Sequence, residues 1–133
     1  MATINELIRT TGIGVVTEHD TDLDVPVLSG MQRQGDVLVL PREVTAHTAV
    51  PPAGTPVVRA ENGGNTHTVH AADGPVYCDT GTPEGLRIAT LSVPDGSTAY
   101  LGHPEHGYMG IAPGSYEIRR QREMAGSARM VAD

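Results

Sequence analysis

The sequence predicts an all-β domain, a sandwich or barrel with jelly-roll or cupin-like arrangements among the options, preceded by one short N-terminal helix. Three observations carry this expectation. Turn signals recur about every ten residues through the second half of the chain. Short runs rich in Val, Thr and Ile separate them. Helical spacing of apolar residues is confined to the first dozen positions.

The helix comes first, over residues 4–10. Thr3 is followed three residues later by Glu6, the spacing of a capping box. Ile4, Leu7 and Ile8 fall on one face, and Gly12 ends the helix. So short a helix persists only when docked on something larger. Residues 13–17 then read as a short strand. Residues 18–24 read as an acidic loop carrying Glu18, Asp20, Asp22 and Asp24. The run DVLVL at 36–40 is apolar on both faces, as a central strand would be. Pro51, Pro52, Gly54 and Pro56 mark a long loop.

A series of hairpins follows. Strands are expected at 57–60, 65–70, 76–80, 86–93, 98–103 and 115–124. The turns between them include Asn62-Gly63, Asp73-Gly74 and Pro94-Asp95-Gly96, in which Pro sets one backbone angle and Gly permits the next. In the last strand Tyr116, Ile118, Arg120, Arg122 and Met124 share a face that begins apolar and ends charged. That strand is expected to leave the core part-way and enter solvent or another subunit, with Tyr116, Arg119, Arg120 and Arg122 at the interface. Residues 125–133 read as a loose tail.

The 133 residues fit a single domain, 1–133, of which 1–12 are the helix and its lead-in. With no Phe and no Trp the core is thin, which favours association with copies of the chain or with an assembly partner. A net charge of -7 argues against nucleic acid as the main partner. All nine basic residues are Arg. One cysteine, Cys78, excludes an intrachain disulfide and fits a reducing compartment. No signal-peptide pattern and no membrane-length apolar run occurs, so the expected location is the cytoplasm, or a virion or particle.

Two histidine pairs are the candidate chemistry. His67 and His70 occur in GNTHTVH, and His103 and His106 in HPEHGYM. Neutral imidazole is the commonest metal ligand. A spacing of three puts two side chains on opposite faces of a straight strand, so His67 and His70 should diverge. A turn at Pro104 and Gly107 would bring His103 and His106 to one side. A divalent metal would then sit between His67, His103 and His106, with Glu105 as a fourth ligand, and His70 would stay out. The bland alternative is that these are structural histidines at strand ends, hydrogen-bonded to backbone or to Glu105.

Other motifs fail on inspection. The acidic run at 20–24 lacks the Gly and Glu of a calcium loop, since Val25 and Met31 stand there. Cys78 lies within an expected strand, where a buried thiol is inert. No G-x-S-x-G or phosphate-cradling loop is present. The cluster Arg119, Arg120, Arg122 and Arg129 suits either an acidic partner or the chain's own acidic loop.

The strings RQGDVLVLP at 33–41, GGNTHTVH at 63–70 and HPEHGYMGIAPGSYEIRRQREM at 103–124 resemble a family of small bacterial β proteins with phage or mobile-element associations and no assigned activity. The resemblance spans 33–123. It implies that His67, His103, Glu105 and His106 match the family pattern. Where the family often carries a second histidine on the earlier strand, this chain has Asn65.

Two functional readings remain. The first is a non-enzymatic, self-associating structural or binding module, a scaffold or phage-type component. The second is a cupin-like metal-binding protein or metalloenzyme using His67, His103 and His106. No catalytic residue is assigned, and a divalent metal is the only cofactor in play.

Overall fold

A computed structural model of the chain describes residues 2–14, 23–58, 66–80 and 87–120. The fold is all-β apart from one short helix, α1 (Ile4–Thr11). Its start is the expected cap: Thr3 Oγ1 accepts from the Glu6 amide at 3.1 Å and donates to the Glu6 carboxylate at 3.2 Å. Gly12, in the left-handed region, closes its end.

Among the described residues ten strands follow: β1 (Val27–Leu28), β2 (Gln32–Gln34), β3 (Val37–Pro41), β4 (Thr55–Val58), β5 (His67–Ala72), β6 (Tyr77–Thr80), β7 (Arg87–Val93), β8 (Thr98–His103), β9 (Gly107–Ile111) and β10 (Gly114–Arg120). They form two five-stranded sheets, ordered β1-β9-β8-β5-β4 and β2-β3-β10-β7-β6. All pairings are antiparallel except β1 with β9.

Three strands escape the sequence reading. β2 is Gln-Arg-Gln and has no apolar alternation, and β1 is only two residues long. β9 holds two glycines, one of which the fold requires. A Cβ at Gly110 would collide with the Pro26 carbonyl oxygen, so a bare backbone is what lets β1 run beside β9. Of the strand expected at 13–17, residues 13 and 14 are not in a strand and 15–17 lie outside the described residues, as do most of the acidic loop, the Asn62-Gly63 turn, Arg122, Arg129 and the tail.

The main core fills the space between the sheets, with Val37, Val39, Val69, Leu91, Leu101, Ile111 and Ile118 wholly buried. A second cluster covers the outer face of the first sheet. There Leu7 of α1 and Val25 pack on Tyr100, with Tyr108 and Ala72 at the margin. The Tyr108 hydroxyl donates to the Ile13 carbonyl at 2.8 Å, tying the end of the helix to β9. The first sheet is therefore buried on both faces, and this governs the fate of its histidines.

One interface expectation is corrected. Tyr116 is 2% exposed, part of the main core, and its hydroxyl donates to the Ala112 carbonyl at 2.8 Å. A ring enclosed by both sheets offers nothing to a partner. Arg119 and Arg120 are half-buried at the end of β10.

Candidate metal centre

β5 and β8 are antiparallel neighbours, with Thr68 opposite Gly102 and Val69 opposite Leu101. Continued by one residue, that register sets His67 opposite His103. Both have inward parity: His67 with Val69, and His103 with Leu101, two residues of the main core. The two imidazoles are 3% and 6% exposed, and their ring centroids are 4.3 Å apart.

His106 reaches them through the β8–β9 turn. Pro104, Glu105 and His106 form the turn, and Gly107, at φ 84°, receives the chain in a conformation that side chains disfavour. The sharp reversal folds His106 back over His103, with centroids 4.5 Å apart, and 5.9 Å from His67. One nitrogen from each of the three rings lies within 4.8 Å of the others. A tetrahedral ion with metal–nitrogen bonds near 2.0–2.1 Å separates its ligands by about 3.3–3.4 Å, so the set needs only to draw inward by about 1.5 Å at most. His106 is exposed, which leaves the cluster open on the solvent side.

Glu105 does not join this set. It occupies the exposed middle of the turn, where its backbone amide is held by His103. His103 Nδ1 accepts the amides of Glu105 at 3.1 Å and His106 at 3.2 Å. A neutral His103 that accepts at Nδ1 carries its own proton on Nε2. The side chain thus holds the turn as Asn or Asp commonly does.

His70 is also buried, at 4%, but on the outer face of β5 with Thr68 and Ala72. A Cβ at Gly54 would sit 2.6 Å from its Cε1, so the ring occupies a space that glycine leaves for it. Its Nε2 is enclosed without a hydrogen-bond partner among the described residues. Burial holds its pKa below the ordinary 6.5. The divergence of His67 and His70 follows from strand parity.

Gln34 is a residue of this region that the sequence reading missed. It is 6% exposed on β2, and its Nε2 donates to the carbonyls of Leu101 and Gly107, each at 3.2 Å. Nothing in Gln-Arg-Gln-Gly-Asp marks it as interior. Cys78 is buried in the core, with its thiol pushed up to about 12 by desolvation and then by Asp79. A separate cleft of about 320 Å³, lined by Thr45, Asp79, Thr80 and Thr90 among others, contains no histidine. The Asp79 carboxylate there accepts the amides of His47 and Thr48 at 3.0 and 2.9 Å, a structural task.

Residues 33–121 match the family model described as Domain of unknown function (DUF8820). The chain belongs to this family. The DUF8820 segment includes Gln34 and all three clustered histidines and leaves α1 outside. No curated protein and no solved structure matches the chain. Among the described residues, no helix is long and apolar enough to cross a membrane.

Proposed function

We propose that this DUF8820 chain binds a divalent first-row transition metal, zinc foremost, through His67, His103 and His106. The observation that carries this is the convergence of three imidazole nitrogens within 4.8 Å at one end of the sandwich. Imidazole sets suit zinc, copper, iron and nickel. Three histidines with a free position are one of the layouts by which proteins hold a Lewis-acidic metal with bound water. The exposed side of His106 is where water or a small ligand would enter.

Metal capture disturbs the turn in a predictable way. Whichever nitrogen of His103 takes the ion, the Nδ1 acceptor is lost to the amides of Glu105 and His106. Titration of the metal-free chain with zinc should give one equivalent bound and move those two amide signals in the nitrogen–proton NMR spectrum. His67→Ala and His103→Ala should each abolish binding, and His70→Ala should leave it intact. Binding that survives His67→Ala, or that vanishes with His70→Ala in a folded protein, would defeat the proposal.

Self-association is the second reading. It is favoured by Leu23, Leu28 and Met31, exposed by 64%, 54% and 67% on or beside the edge strand β1. A scaffold or particle role belongs with it. The solution mass should exceed that of one chain, and a monomer at every working concentration would refute it.

A further inference from the structure

We infer that Gln34 is a positioning residue for the proposed metal site, gripping the β8–β9 hairpin through its amide nitrogen and accepting an N–H from a liganding imidazole at its amide oxygen. This rests on the metal reading above. Gln34 lies on β2, in the opposite sheet from the histidines. Its Nε2 donates to Leu101 on β8, two residues before His103, and to Gly107 on β9, the residue after His106. Gly107 is also the register partner of His103. One side chain therefore grips both strands of the hairpin that carries His103 and His106.

Those two bonds use both amide hydrogens and settle which way the group points. Exchanging oxygen for nitrogen would set the oxygen against two carbonyl oxygens. Gln34 Oε1, in contrast, is enclosed and has no hydrogen-bond partner among the described residues. Buried acceptors are rarely left in that condition, because the water they gave up is not replaced. A donor oriented by metal binding resolves it. A histidine bound to a metal through one nitrogen carries a proton on the other, and such N–H groups characteristically donate to a carbonyl or carboxylate. In the metal-free chain His103 Nδ1 is an acceptor. Coordination at one ring nitrogen confines the proton to the other, and the Gln34 carbonyl is the acceptor held beside that hairpin.

The test compares zinc affinity, measured against a chromophoric chelator, in the unmodified chain and in Q34M, which removes donor and acceptor at nearly constant volume. Affinity should fall about 10–100-fold, the usual effect of losing an outer-shell partner. T3A, which weakens the fold at the distant helix cap, should bind zinc normally. In the zinc-loaded unmodified chain, a slowly exchanging imidazole N–H should show a nuclear Overhauser contact to the Gln34 side chain. This measurement needs no variant to fold. Unchanged affinity in Q34M, or a loaded chain whose protected imidazole N–H makes no contact with Gln34, overturns the role of Gln34 and leaves metal binding standing. An unmodified chain that binds no zinc overturns both.

Discussion

His103 is assigned two tasks, and one pair of substitutions separates them. Its Nδ1 accepts two backbone amides, at 3.1 and 3.2 Å, and its ring is a proposed ligand. Alanine removes both functions. Asparagine removes the imidazole but places an oxygen where it can accept the same amides, as in an Asx turn. A hydrogen bond of this kind contributes about 0.5–1.5 kcal/mol net, so two sharing one acceptor contribute about 1–2 kcal/mol together. Both variants lose ring packing, so the difference between them isolates the turn. With metal removed by chelator, His103→Asn should be more stable than His103→Ala by about 1–2 kcal/mol in urea unfolding. For a domain of this size that is a melting difference of about 3–8 °C. Neither variant should bind zinc. Equal stabilities would refute the turn-holding role, and zinc binding by His103→Asn would remove His103 from the ligand set.

Burial of neutral His70 makes stability depend on pH. Its folded pKa lies below the ordinary 6.5, so the unfolded chain binds the extra proton first. Stability should be full above about pH 6.5 and decline as pH falls from there toward the folded pKa. His70→Gln should flatten that part of the urea midpoint–pH curve, and an unchanged slope would contradict this. Gly110→Ala forces a methyl against the Pro26 carbonyl, and the overpacking should cost about 1–3 kcal/mol in urea unfolding, with no loss if β1 separates freely. Thr3→Ala removes the cap on the Glu6 amide and should cost about 1 kcal/mol by the same measurement.

The sequence alone determined the elements whose signals are local. The capping box at Thr3 and Glu6, the αL end at Gly12 and the strand at 98–103 depend on neighbours in the chain, and each occurs where the residues place it. Strand parity likewise separates His67 from His70, and Pro104 with Gly107 marks the reversal that carries His106 back. Gly35-Asp36, a two-residue loop between Gln34 and Val37, was a legible hairpin signal that would have revealed β2. Tertiary structure alone decided what each face meets. A helix and the 23–28 segment cover the outer face of the first sheet, so His70 is buried although it points away from the core. The opposite sheet encloses Tyr116, which the pattern of β10 would equally allow at an interface. The meeting of His67 with His103 and the interior position of Gln34 depend on register between strands distant in sequence. Alternation within a strand fixes which side a residue faces, but only pairing across strands fixes its neighbour.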